Sequence, residues 1–292
     1  MINRLCIIGL GLMGGSLAAA LKQRGAVKHV VATGRRDVSL KRGLEMGIID
    51  SWTLDLAEAV QGADIIVICT PTQVAEQTLA DLKPLLTDDM VLTDVASVKG
   101  NLKAAAERVF GEAPKNFVLA HPIAGSEKHS VEASNPDLYV DHRGILTPLA
   151  NTDASAVEKV AAMWSAAGAD LVYMEVEDHD RVLAPPSHLP HLMAFALVDA
   201  LAQDGAAEEI FKFAAGGFRD FTRIASSDPK MWHDICLANS DAVLERLNQL
   251  TDNIDRLREA IETGDGETLM KSFANAKHSR DNYFLTQYKH DA

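Results

Sequence analysis

The sequence predicts an α/β fold in two parts: a doubly wound sheet over residues 1–175, then an all-helical domain over residues 176–292. Three observations carry this reading. Short β-rich runs alternate with helical patterns through the first part, which implies a sheet with helices on both faces. The run Ile65-Ile66-Val67-Ile68 is continuously apolar rather than alternating, as a strand buried on both faces of a parallel sheet must be. After about residue 180 no further strand pattern follows, and apolar residues recur at helical spacing to the end.

The strands are expected at residues 4–8, 29–33, 64–69, 90–93, 117–120, 144–147 and 170–174. Helices are expected between them at 14–24, 38–46, 74–82, 98–109 and 154–167. Pro185-Pro186 marks a break into the second part. The run 188–201 that follows is apolar nearly all round, which reads as a helix buried on every side, in a core or between subunits. From Trp232 to Leu257 apolar residues keep helical spacing, and a helical domain that forms a homodimer is inferred.

Composition bounds the function. A formal charge of −13 argues against a nucleic-acid surface, and an anionic substrate would have to be drawn in by a local positive site. Three cysteines, Cys6, Cys69 and Cys236, lack metal-ligand spacing; Cys6 and Cys69 sit in strand-like runs as buried thiols, which fits a reducing cytoplasm. The uncharged stretch from Leu5 to Leu21, with Arg4 before it and Ala18-Ala19-Ala20 near its end, imitates a secretory leader. Gly9, Gly11, Gly14 and Gly15 interrupt it, so targeting is rejected, and nothing downstream is apolar enough to span a membrane.

Those glycines belong to Gly9-Leu10-Gly11-Leu12-Met13-Gly14, which follows an apolar strand and opens a helical pattern. The first permits a tight turn, the second lets backbone approach a pyrophosphate, and the third allows close helix–strand packing. In that position the motif predicts a Rossmann-type dinucleotide site. Thr70 and Pro71, just beyond the 64–69 strand, are placed at the same cofactor. At the end of the second strand stands Gly34, where an acid would mark NAD, and Arg35 and Arg36 follow it. NADP is favoured and NAD is the alternative, with Asp37 either capping the next helix or reaching back to a ribose.

A second turn, His121-Pro122-Ile123-Ala124-Gly125-Ser126-Glu127, puts a histidine at a strand end, where a base would take a proton as hydride leaves. His188 and His191 are three apart and share a helix face, and with His121 they raise the question of zinc. No cysteine or helical His–Glu pair accompanies them, Pro190 lies between, and no metal is expected.

Four motifs in order resemble the prephenate/arogenate (cyclohexadienyl) dehydrogenase family of tyrosine biosynthesis: GLGLMGGSLA from Gly9, HPIAGSE from His121, SHLPH from Ser187 and GGFRDFTR from Gly216. The resemblance implies a Rossmann domain, a helical dimerisation domain and oxidative decarboxylation of a cyclohexadienyl acid. Hydride leaves the ring carbinol, its hydroxyl gives up a proton, and the ring carboxylate departs as carbon dioxide to make the ring aromatic. The resemblance makes His121 the base and places Ser97 beside it, bonded to the histidine or to the reacting hydroxyl; Ser97 would equally serve as a helix N-cap. It assigns Arg223 to a substrate carboxylate, a role suited to a two-pronged guanidinium, and Ser187, His188, His191 and Trp232 to the substrate pocket. Ser126, Glu127 and Asp220 follow as residues organising a gate around the arginine, although Glu127 reads equally as a solvated loop acid. In a departure from some members of that family, neither a mutase segment before these two domains nor a regulatory domain after them is expected, so that any feedback by tyrosine would act at the active site.

Two rival readings share parts of this pattern. A β-hydroxyacid dehydrogenase of the 6-phosphogluconate type also joins a Rossmann domain to helices, but expects a helical lysine as its acid/base. A non-catalytic dinucleotide sensor would have no use for His121, Ser97 and Arg223 together.

Overall fold

The computed structural model describes residues 1–125, 128 and 130–284, so Ser126 and Glu127 lie outside the described residues. The sheet region runs β1 (Ile2–Ile8), α1 (Leu12–Gln23), β2 (Val27–Thr33), α2 (Asp37–Glu45), β3 (Ser51–Trp52), α3 (Leu56–Val60), β4 (Ile65–Ile68), α4 (Ala75–Leu82), β5 (Val91–Asp94), α5 (Gly100–Phe110), β6 (Phe117–Pro122), β7 (Arg143–Thr147), α6 (Ala154–Ala167) and β8 (Asp170–Tyr173). Helices follow: α7 (Val176–Leu183), α8 (Leu189–Ala202), α9 (Ala207–Lys212), α10 (Gly216–Thr222), α11 (Pro229–Ala238), α12 (Ser240–Thr263) and α13 (Gly266–Ser279). The chain divides into two compact units, Met1–Ser240 and Asp241–Ala292.

The eight strands lie in the order β3-β2-β1-β4-β5-β6-β7-β8, and every neighbouring pair is parallel except β6–β7. Strand order reverses between β1 and β4, which opens a crevice at the carboxyl edge of the sheet. Successive residues of β4 explain its unbroken apolarity. Ile65 and Val67 pack with Leu17, Leu21, Met163 and Trp164 on one face, while Ile66 and Ile68 pack with Leu79, Leu102 and Phe117 on the other.

Seven of the eight strands fall where the sequence places them. Two short elements, β3 and α3, have no counterpart among the expected ones. The antiparallel direction of β7 also departs from an all-parallel sheet. Among the described residues no long helix crosses over between β6 and β7, and residues 130–142 brace α1 instead. Tyr139, fully buried, donates its hydroxyl proton to the Met13 carbonyl at 2.7 Å, and Asn135 N donates to Ser16 Oγ at 3.0 Å.

A charged pair stitches β5 to β6. Asp94 and Lys99 are both fully buried and paired with each other. Asp94 also accepts Ala120 N at 2.9 Å and Ala96 N at 2.8 Å, and Lys99 Nζ donates to the Ala120 carbonyl at 2.6 Å. The strand end that carries His121 is thereby pinned to the loop that carries Ser97.

Pro185-Pro186 does not break the helical region. Residues Ala184–His188 form a π-helical turn joining α7 to α8. The wider turn takes up two residues that lack amide protons without ending the helix. Within α8 the chain itself buries only Ala194, so of the two alternatives for the run 188–201 burial in its own core does not hold. The segment from Trp232 also divides, with Asn239 separating α11 from α12. In the second unit, Leu244, Ile254, Ile261, Met270 and Phe273 stand exposed. Among the described residues no helix is long and apolar enough to cross a membrane.

Asp94→Ala should strand the Lys99 ammonium in the core. Urea unfolding is expected to show a loss of about 3–5 kcal/mol, part of which Lys99→Met in the same chain should restore. A loss below 1 kcal/mol would show that the pair is dispensable.

Candidate active site

The glycine turn is shaped as the motif requires. Gly9 has a φ of 94°, and a Cβ there would stand 2.9 Å from the Cys69 carbonyl oxygen, so β1 and β4 can approach this closely only with glycine. A Cβ on Gly14 would meet Ile7 Cγ2 at 2.7 Å and the Gly9 carbonyl at 3.1 Å, which is the helix–strand packing role. Gly11 caps α1 in an extended conformation, and Leu12, Met13 and Gly14 form its first turn, with no acidic side chain to satisfy the amides there. On the other side of the crevice Thr70 Oγ1 is buried without a partner, and Pro71 opens the turn Thr72–Val74. A close-backbone cradle, a helix N-terminus and an orphaned hydroxyl fit a nucleotide pyrophosphate and its nicotinamide arm.

Beyond the end of β2, Arg35 and Arg36 are exposed, with Arg36 capping α2. Asp37 is the first residue of α2 and pairs with Lys41 at 2.6 Å. That contact places Asp37 on its own helix.

His121 lies at the end of β6, two strands from β4 and therefore about 10 Å along the same sheet edge. It is only 8% exposed, and its Nδ1 stands 2.9 Å from Nε2 of His179, on α7. His179 Nδ1 in turn lies 2.7 Å from Asp180 Oδ1. The Asp180 carboxylate also accepts Lys99 N at 2.8 Å and Gly100 N at 2.7 Å, so it caps α5 from another element. These four contacts determine protonation. A carboxylate accepts, so His179 carries its proton on Nδ1 and offers a bare Nε2. His121 must then donate from Nδ1, which leaves its Nε2 as an unprotonated base. Among the described residues, His121 Nε2 has no hydrogen-bond partner.

Electrostatics keep that base neutral. Burial, with smaller electrostatic contributions from the neighbouring His179, Lys99 and His188, holds His121 well below the ordinary histidine value. Burial also lowers His179, against the opposing pull of Asp180. For Asp180 burial acts upward, but hydrogen bonds from His179, Lys99 N and Gly100 N outweigh it and the carboxyl stays below its usual range.

Ser97 lies in the β5–α5 loop and is not the helix cap, because α5 starts at Gly100 and Asp180 takes that role. Nor does Ser97 bond His121 among the described residues, since Nδ1 is engaged by His179. Next to it, Val98 packs with Trp232 and Ile235, joining the sheet edge to α11. Trp232 stacks on His191 with ring centroids 3.6 Å apart and meets His188 edge-on at 6.3 Å. Ser187 contributes its carbonyl, which accepts His191 Nδ1 at 2.9 Å. His188 is completely buried, and burial lowers it to about 4. The expected His121, Ser97, Ser187, His188, His191 and Trp232 are thus brought into one cluster.

Arg223 opens the turn after α10 and is exposed, close enough to His191 for its charge to lower that histidine, secondary to burial. Asp220 is exposed on α10, and among the described residues no ion pair joins it to Arg223. Sequence reading missed His179 and Asp180. The only available signal was the Asp178-His179-Asp180 string just after the last strand.

Comparison with known proteins identifies the family. Residues 17–173 match the family model described as prephenate dehydrogenase, nucleotide-binding domain, and residues 175–275 match the prephenate dehydrogenase dimerization domain. The chain is 37% identical to the prephenate dehydrogenase of Bacillus subtilis over 98% of its length and 78% of that protein. With the cyclohexadienyl dehydrogenase of Zymomonas mobilis it shares 33% identity over 95% of each. Among solved structures, prephenate dehydrogenase from A. aeolicus in complex with hydroxyphenyl propionate and NAD+ superposes with a TM-score of 0.89, at 36% identity over 96% of this chain and 98% of that one. Two family domains in sequence, a matching fold and relatives above 30% identity along nearly the whole length establish that the chain belongs to the prephenate dehydrogenase family.

Proposed function

We propose that this chain oxidatively decarboxylates prephenate to 4-hydroxyphenylpyruvate as a step in tyrosine biosynthesis, with His121 as the base. The observation that carries the reading is the His121–His179–Asp180 chain, which leaves one bare imidazole nitrogen at the carboxyl edge of a dinucleotide-binding sheet. The nicotinamide, when bound, supplies the hydride acceptor. His121 Nε2 takes the proton of the ring hydroxyl as hydride leaves the carbinol carbon. The ring carboxylate then departs as carbon dioxide, its bonding electrons complete the aromatic ring, and the phenolic oxygen recovers a proton. His179 and Asp180 orient the imidazole and stabilise the imidazolium that forms, as the carboxylate of a serine-protease triad does for its histidine.

Arg223 is assigned to a substrate carboxylate, with His188, His191, Ser187 and Trp232 forming the wall of the pocket and Ser97 bonding the reacting hydroxyl. Ser126, Glu127 and Asp220 are kept as residues that gate this arginine. Arogenate carries an amino group in place of the side-chain keto group, remote from the carbinol, so the same chemistry extends to it. The cofactor reading is NADP: no acid stands at the end of β2, Asp37 is paired with Lys41, and a Cβ on Gly34 would meet nothing within 4 Å, which leaves open space beside Arg35 and Arg36. The domain border is placed at 175/176. A homodimer through the helical domain is supported by the dimerization-domain match and by the apolar side chains that α8, α12 and α13 leave uncovered.

Absorbance at 340 nm with prephenate is expected to rise faster with NADP than with NAD. Arg35→Ala/Arg36→Ala should raise KM for NADP by about ten- to a hundredfold, the worth of one or two charge-assisted hydrogen bonds, with KM for NAD unchanged. Absence of reduction with either cofactor would sink the enzyme reading. An equal effect on both cofactors would remove the arginines from the 2′-phosphate.

His121→Asn keeps a polar group but no base. Turnover should fall by about two to four orders of magnitude while cofactor binding, followed by fluorescence, persists. Near-normal turnover would exclude His121 from proton transfer.

The pH profile provides a separate check. His121 must be neutral to act, and its folded value lies well below 6.5, so protonation sets in only at lower pH. The acid limb of kcat/KM should therefore fall below pH 6.5. A limb centred at or above that value would contradict a buried, desolvated base.

A further inference from the structure

We propose that Asn239 is a positioning residue for the prephenate site: its side-chain amide locks His188 as the Nε2–H tautomer and makes this buried imidazole a hydrogen-bond donor to the substrate. The inference rests on the function proposed above and extends it to a residue outside the four motifs.

Asn239 terminates α11 and is almost fully buried. Its Nδ2 stands 2.9 Å from the Asp180 carbonyl oxygen and 3.2 Å from His188 Nδ1. A backbone carbonyl can only accept, so the amide face turned toward it must be the NH2 group, and the amide orientation is fixed. The second amide proton then points at His188 Nδ1. That nitrogen has to present its lone pair, and in a neutral ring the proton sits on Nε2.

His188 Nε2 is buried and has no hydrogen-bond partner among the described residues. A buried N–H without an acceptor is costly, and such groups in folded proteins tend to be those a ligand satisfies. The surroundings indicate which ligand. Trp232 and His191 stack beside the ring, and the charge of Arg223 is felt at His191. A substrate with two carboxylates and a keto oxygen brings several acceptors into such a pocket. The lock also protects the base. Protonating His188 at Nδ1 would require breaking its bond to Asn239, so the ring stays neutral and adds no charge that would weaken His121 as a proton acceptor. Burial acts in the same direction, lowering His188 to about 4.

The same residue closes a loop through α7. Asp180 holds His179 and the α5 N-terminus with its carboxylate, and holds Asn239 with its carbonyl. One residue therefore sets the tautomers of both His121 and His188, the first through its side chain and the second through its backbone.

Histidine-selective 15N NMR of the cofactor-bound protein, with His188 assigned by its disappearance in His188→Gln, reads the tautomer directly. The expected result is a neutral ring protonated at Nε2 in the wild type and an averaged tautomer in Asn239→Ala. A wild-type His188 protonated at Nδ1, or on both nitrogens, would overturn the proposal. In kinetics, Asn239→Ala should raise KM for prephenate by about tenfold, the worth of one buried hydrogen bond, with KM for the cofactor unchanged. Glutamine carries its amide nitrogen near the position of imidazole Nε2 and donates whatever its neighbour does. In a His188→Gln background Asn239→Ala should therefore have little further effect on KM. An equal penalty in both backgrounds would reduce Asn239 to a structural helix end, and an unchanged KM would remove it from the site. If Asn239→Ala fails to fold, the wild-type spectrum still decides the tautomer. Failure of prephenate turnover in the wild type would refute the substrate but leave the NMR result standing, so the two readings fail separately.

Discussion

The site depends on one carboxylate, that of Asp180, placed at the N-terminus of α5. Two backbone amides and the His179 ring donate to it. A helix N-terminus favours an anion through its unpaired N–H groups and the positive end of its dipole. Buried carboxylates ordinarily climb in pKa, and here the donors reverse that. The consequence reaches His121, because a carboxylate that stays ionised cannot donate. Every proton position along the His179–His121 chain then follows from the requirement that each contact pair a donor with an acceptor.

A second buried charge lies nearby and has a different task. Lys99 sits just before α5. Its Nζ is fully buried against Asp94 and the Ala120 carbonyl. Burial lowers its pKa, and Asp94 pulls the other way. A side chain whose charge is enclosed and whose donors are engaged cannot take a proton from substrate without breaking the β5–β6 junction that places His121. In the proposed reaction lysine and histidine therefore divide the work, the first holding the strand end and the second presenting the base.

Much of the fold was legible because its signals are local. The glycine turn is recognisable from six consecutive residues, and the buried strands from unbroken apolar runs whose alternate side chains enter two cores. The histidine turn needed the four motifs in order, since a lone histidine before proline has no chemistry of its own. What escaped was set by contacts distant in sequence. His179 and Asp180 are adjacent in the chain and do not share a helix face, so periodicity gives no hint that they act together, and His121 is 58 residues away. Asn239 reads as an ordinary helix end until Asp180 and His188 are seen on either side of its amide. The π-helical turn kept the helix running through Pro185-Pro186, where two prolines ordinarily announce a stop. The apolar surface of α8 was read as buried. A pattern of side chains records that a surface avoids water, not whether its cover comes from the same chain or a second copy.

The electrostatics of the cluster explain why an acidic protein can use a neutral site for an anionic substrate. His121, His179 and His188 are all held below the ordinary histidine value, with burial the largest cause. The three imidazoles are therefore uncharged near neutral pH, and in the proposed reading attraction falls to the exposed Arg223. In the proposed reading, binding a carboxylate at Arg223 rather than beside the base has a kinetic logic. A cationic group against the ring hydroxyl would oppose the loss of hydride from the same carbon, where positive charge develops. In the proposed reaction a neutral imidazole accepts the proton instead, and the imidazolium that forms is stabilised through His179 by the Asp180 carboxylate. The cation needed in the transition state is thus created there, by the reaction, rather than fixed in advance where it would hinder it.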